Sequence, residues 1–199
     1  MKNLFLSEVI ATRLSHDLIG NIGAVANAVE LLNEGDESDK EDIYSILNFS
    51  SNVLSCRLKF FRLCFGLSNS APKNTDDLKK IIGDYLLTLG NPKFPIQFTL
   101  NVTSSQIYKI VMPAVMMMAD TLVKGGNILV EQKEHGIYVS ALSDVPLNMN
   151  KLAQIDDVIQ NREITENPST FAPLYYLLNF LEDSQVPVYR KQNILIIGE

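Results

Sequence analysis

The residues most able to do chemistry lie in one short run, Arg13-Leu14-Ser15-His16-Asp17-Leu18-Ile19-Gly20-Asn21-Ile22-Gly23. A neutral imidazole is a nucleophile near pH 7, because histidine ordinarily titrates at about 6.5. His16 has an acidic neighbour, Asp17, that could orient its ring or favour one tautomer. Asp17 could equally be a plain solvated charge. Arg13, one helical turn earlier, suits an acidic partner surface or a phosphoryl group, and suits equally a solubilising charge. Gly20 and Gly23 each cost a helix roughly 1 kcal/mol relative to alanine. They leave room beyond the histidine for another surface to come close, or allow another helix to pack there.

These residues must be carried by a helix. Apolar positions recur in threes and fours at Leu14, Leu18, Ile22, Val25, Val29 and Leu32, which predicts one helix from about Leu6 to Asn33. At 100° per residue His16 stands about 200° from Leu14 and Leu18, on the polar side with Thr12, Arg13, Gly20, Gly23 and Asn27. The turn 33–38 ends this helix, with Gly35 as its stop. A second helix is expected from about Asp39 to Leu67, with the stripe Ile43, Leu47, Ser50, Leu54, Leu58, Phe61 and Phe65. Two such helices make an antiparallel hairpin about 40 Å long. Each stripe is wider than one neighbour covers, so a dimeric four-helix bundle is expected.

The composition shifts at Ser68–Asn74, which reads as a linker. It divides residues 1–70 from an α/β region, 75–199. There Thr75-Asp76-Asp77 caps a helix to about Leu89, and Ile96–Val102 alternates as a strand. Gln106–Val123 is a strongly apolar helix containing Met116-Met117-Met118, read as core, and Gly125-Gly126 stops it. Asn127–Lys133 and Ile137–Ser143 form strands around a solvated turn at His135. Helices follow near Asn150–Gln160 and Pro168–Asp183, then strands Val186–Tyr189 and Asn193–Ile197. This order predicts an α+β chain: a helical hairpin, then a mixed sheet with helices on one face.

The bulk numbers exclude several roles. The 199 residues carry a formal net charge of −6, which argues against nucleic acid as a main partner. No apolar run approaches the ~20 residues of a membrane span, and the N-terminal apolar patch is too short for a signal-peptide core. Cys56 and Cys64 lie on one expected helix, about 12 Å of rise apart, too far for a disulfide. No metal cluster is spelled out, and a reduced, cytoplasmic protein is expected.

The hairpin resembles a known family. Leu14-Ser15-His16-Asp17-Leu18-Ile19, with Ala24-Val25-Ala26-Asn27-Ala28-Val29-Glu30-Leu31-Leu32, is similar to the opening helix of the alphaproteobacterial histidine phosphotransferases of the ChpT type. Leu58-Lys59-Phe60-Phe61-Arg62-Leu63-Cys64-Phe65-Gly66 is similar to that family's aromatic–Arg–Phe–Gly ending. The resemblance is specific over about residues 8–67 and looser beyond. It implies a homodimer whose second domain is shaped like a histidine-kinase ATP-binding domain. It also implies a role: His16 would take a phosphoryl group from the receiver domain of a hybrid histidine kinase and pass it to the receivers of response regulators. Magnesium would belong to the receivers, so no cofactor of its own is implied. Family members often carry Ser-Pro where this chain has Gly20-Asn21, which bears on the helix bend past the histidine.

A kinase of this fold needs an Asn at the end of its long helix, an Asp-x-Gly-x-Gly loop and a glycine-rich lid. Here the helix end reads Met116-Met117-Met118-Ala119-Asp120-Thr121, the loop reads Ser143-Asp144-Val145-Pro146-Leu147, and no glycine occurs between Ile137 and Ile197. A degenerate domain that binds no ATP is expected. The rivals are a phosphate-independent dimeric scaffold that blocks a receiver or kinase, and an active autokinase, which the missing glycines disfavour.

Overall fold

A computed structural model of the chain describes residues 2–34, 39–67, 71–161 and 166–198. Gly35, expected to stop the first helix, and residues 68–70 of the expected linker lie outside these residues. The first two helices are α1 (Lys2–Glu34) and α2 (Lys40–Phe65), which pack against each other as the expected hairpin. The second region runs α3 (Thr75–Leu87), β1 (Ile96–Asn101), α4 (Tyr108–Ala119), β2 (Gly126–Lys133), β3 (Gly136–Leu142), α5 (Met149–Asn161), α6 (Ala172–Phe180), β4 (Val188–Lys191) and β5 (Ile194–Gly198). The fold is therefore α+β, with six α-helices and one five-stranded mixed sheet among the described residues.

The sheet order is β1-β2-β3-β5-β4, parallel only between β1 and β2. That parallel pair needs a crossover, and α4 supplies it. Gly125 and Gly126 make the return possible. Both have positive φ, 63° and 139°, and the Gly126 amide donates to the Pro95 carbonyl at 3.2 Å. A Cβ at Gly125 would strike the backbone of Phe94 and Pro95.

Helices cover one face of the sheet. Ile128, Val130, Val139, Ala141, Leu195 and Ile197 point into them and are buried. Helix α4 is the centre of the molecule: Val111 to Ala119 are all buried, including Met116, Met117 and Met118, as expected of a core helix. It packs on the sheet, on α6 and on α2. The buried cluster is continuous from α4 into the hairpin through Val9, Phe60, Phe61, Leu63 and Cys64. Phe60 stacks on Tyr85 of α3 with ring centres 3.8 Å apart.

Several boundaries differ from expectation: α1 begins at Lys2, α4 ends at Ala119 and β4 runs two residues later. Asn74, not Thr75, caps α3, accepting from the Asp77 amide at 2.8 Å. The apolar helix of the second region begins at Tyr108 after a 3-10 turn, Ser105–Ile107, that Ser104 caps. The segment 168–183 divides into a 3-10 turn, Pro168–Phe171, and α6.

Candidate functional site

At the level of His16 the inward face of α1 is mixed: Leu14 and Leu18 pack against the core beside a buried arginine, Arg13. Val9 and Ala28 are buried on this helix, and between them the buried side chain is Arg13. Of the expected stripe, Leu14 and Leu18 are half-buried against the core, while Ile22 and Val29 are 50% and 46% exposed in the single chain. A charged group joins these apolar residues where the hairpin meets the second region, which hydrophobic periodicity cannot register.

Arg13 uses its whole guanidinium. Nε donates to Asp17 Oδ2 at 2.7 Å, Nη1 to Asp120 Oδ2 at 2.8 Å and Nη2 to Asp120 Oδ1 at 3.1 Å. Nη1 also donates to the Thr170 carbonyl at 3.2 Å. The two-pronged grip on Asp120 is the strong form of this contact. Lys151 adds its Nζ to Asp120 Oδ2 at 3.4 Å. The side chains of Arg13, Asp17 and Asp120 are only 10%, 13% and 14% exposed. Burial by itself would lower the Arg13 pKa, but Asp120, by charge and hydrogen bond, and then Asp17 hold it above arginine's ordinary value. Arg13 is therefore engaged within the chain, which corrects its expected place on the open face beside His16.

His16 stands at the outer end of this network. Its side chain is 83% exposed, and Nδ1 lies 3.2 Å from Asp17 Oδ1. An ionised carboxylate only accepts, so the contact places the hydrogen on Nδ1. In the neutral ring the lone pair then sits on Nε2. Asp17 divides its two oxygens, one toward His16 and one toward Arg13.

A second clamp fixes the backbone at the same point. Arg57 of α2 donates through Nη1 to the Asp17 carbonyl, through Nε to Thr88 Oγ1 at 3.1 Å and through Nη2 to the Thr88 carbonyl at 2.9 Å. Thr88 follows α3, so α1, α2 and α3 are tied together beneath His16. The Tyr85 hydroxyl is buried with no hydrogen-bond partner among the described residues. Burial, and then the charge of Asp120, push its pKa well up.

The other expected residues fall on the outside. Thr12, Gly20 and Asn27 are exposed, and Asn21 and Gly23 are half-buried. A Cβ at Gly20 or Gly23 would meet nothing within 4 Å, so neither glycine serves packing within this chain. His135 is an exposed turn residue. Among the described residues no group of three His, Cys, Asp or Glu is placed to hold a metal, and no helix is long and apolar enough to cross a membrane.

Sequence reading missed Asp120, Lys151, Arg57, Thr88 and Thr170. The pairing of Arg13 with Asp17 is visible in their i,i+4 spacing. Asp120 left one trace, a lone acid ending a strongly apolar helix.

No protein-family model matches the chain. It is similar to the protein phosphotransferase ChpT of Brucella abortus (strain 2308), with 27% identity over 129 residues, 64% of this chain. The match spans 60% of that protein's length. A solved structure of a bacterial phosphotransferase has the same fold, at a TM-score of 0.68 and 21% identity, over 98% of this chain and 95% of that one. The likeness expected from the hairpin motifs is thus present at the level of sequence and of fold.

Proposed function

We propose that this chain is a histidine phosphotransferase of the ChpT type, relaying a phosphoryl group between receiver-domain aspartates through His16. The observation that carries the proposal is the state of His16: exposed on α1, with Nδ1 3.2 Å from Asp17 Oδ1, so that the lone pair of the neutral ring falls on Nε2. The similarity to a named phosphotransferase supports it.

In the proposed reaction Nε2 attacks the phosphorus of a receiver's aspartyl phosphate in line with the acyl oxygen. The N–P bond forms, the P–O bond to the receiver's carboxyl breaks, and the receiver's aspartate leaves as a carboxylate. The ring, already carrying hydrogen on Nδ1, becomes positive, and Asp17 stabilises that charge. The reverse attack by a second receiver's carboxylate restores the neutral ring. Positioning and charge stabilisation do most of the work, as in phosphoryl transfer generally. Magnesium is expected on the receivers. Gly20, Asn21 and Gly23 leave the receiver an open approach, and Arg13 supports the site from beneath.

The second region, 75–199, is read as a degenerate kinase ATP-binding domain and residues 1–70 as the dimerising, phosphate-carrying one. Two features support this: the glycine-free loop Ser143–Leu147, and the engagement of Asp120 by Arg13 at the end of α4. A homodimer is supported by the exposed row Ile19, Ile22 and Val29 on α1, spaced along one helix face, with Ile46 and Phe49 on α2. A cytoplasmic location fits two free cysteines.

The test is transfer from a phosphorylated receiver. The wild type should acquire an acid-labile phosphohistidine that a second receiver removes, while His16→Ala should acquire none and ATP alone should label neither. Receiver binding without any phosphohistidine would replace the proposal with a scaffold role.

A further inference from the structure

Asp120 is far along the chain from His16, at the C-terminal cap of α4 in the second region. Three contacts join them: Asp120 to Arg13 at 2.8 and 3.1 Å, Arg13 to Asp17 at 2.7 Å, and Asp17 to His16 Nδ1 at 3.2 Å. We propose that Asp120 is a positioning residue for His16, holding Arg13 so that Asp17 keeps one oxygen free for the histidine ring. The role is exercised through two other side chains, and its value for phosphoryl transfer rests on the function proposed above.

The geometry of the guanidinium carries the argument. Arg13 meets Asp17 through Nε alone, because both Nη atoms are taken by Asp120. Without the Asp120 carboxylate Nη2 loses its acceptor and Nη1 keeps only the Thr170 carbonyl, in a place where little water reaches them. The nearest remaining carboxylate is Asp17, and guanidinium and carboxylate prefer to pair two-on-two. Such pairing would use both Asp17 oxygens and withdraw Oδ1 from His16. The ring would then be free to rotate and to move its hydrogen to Nε2, removing the lone pair from the reacting position. Lys151 reinforces the arrangement by engaging the same carboxylate from α5.

The test reads the His16 tautomer by 15N NMR of the full chain, without any phosphate donor. The neutral ring in the wild type should carry its hydrogen on Nδ1. Asp120→Asn should shift it toward the Nε2–H form and slow phosphorylation by a phospho-receiver roughly 10- to 100-fold, the range of a small misplacement of a reacting group. Asp156→Asn is the control. It breaks an ion pair with Arg190 between α5 and β4, neither residue being a partner of Arg13, Asp17 or Asp120, and should move neither readout. A wild-type ring with its hydrogen on Nε2 overturns the proposal whether or not the Asp120 variant folds. So does an equal shift in Asp156→Asn, which would mark general loosening. If the tautomer behaves as stated but the wild type takes no phosphate, the positioning stands and the proposed function falls.

Discussion

Replacing Arg13 with methionine tests whether the charged joint between the hairpin and the second region holds the fold as well as the site. The substitution keeps an unbranched side chain of helical propensity and deletes the guanidinium. Four contacts disappear: those to Asp17, to both oxygens of Asp120 and to the Thr170 carbonyl. Removing one partner of a buried ion pair costs about 3–5 kcal/mol, chiefly because the other charge stays buried. Lys151 remains near Asp120 and Asp17 borders solvent, so the lower end applies, about 3 kcal/mol. For a domain of this size that is roughly 6–12 °C in Tm. Urea denaturation of the full chain, followed by circular dichroism, gives the free energy from the midpoint, provided the slope is unchanged. Arg13→Met combined with Asp120→Leu replaces the pair by apolar groups and should recover most of the loss. The double variant should still transfer phosphate slowly, since Asp17 then has no fixed partner. A cost below about 1 kcal/mol for Arg13→Met, the value of an exposed ion pair, would refute the reasoning.

Three further outcomes follow from the same geometry. Gly20→Ala and Gly23→Ala should each stabilise α1 by up to about 1 kcal/mol in thermal melts, because no atom of this chain meets the added methyl, while receiver-dependent transfer slows; unchanged transfer would show that no partner approaches there. Phe49→Asp, at an exposed position of α2, should convert a dimer to a monomer in sedimentation equilibrium without lowering the helix signal. Burial pushes the Cys64 thiol pKa well up, so its reactive thiolate is disfavoured in the native state; raising the pH to 8 should let iodoacetamide modify half-buried Cys56 ahead of Cys64, with Cys64 reacting only on unfolding.

The hairpin, the succession of helices and strands along the chain and the nearness of His16 to Asp17 were legible because each depends on residues near in sequence. Spacing in threes and fours reports a helix wherever its apolar residues face inward. It places Leu14 and Leu18 inward but leaves Arg13 on the open side, because nothing local tells a paired charge from a solvated one. Asp120 reads only as part of the end of the apolar helix, and its partner Arg13 lies 107 positions away in the sequence, where no local pattern reaches it. The final hairpin shifted by two residues at β4 for a smaller reason. Its turn holds Gln192 at a φ of 56°, a position where glycine or asparagine would have signalled the bend.

The contact of Arg57 with the Asp17 carbonyl has a consequence for how α1 can change. In a regular helix that carbonyl accepts from the amide four residues on, which is Asn21. Proline at 21 would remove that donor and press its ring on the same oxygen, ordinarily a loss of about 3 kcal/mol or more. Here Arg57 already donates to this oxygen from the neighbouring helix. The chain therefore carries a spare donor at the one place where its resemblance family often kinks. A straight helix and a kinked one become near neighbours in sequence, and the tilt of the surface beyond His16 can drift without exposing an unsatisfied carbonyl.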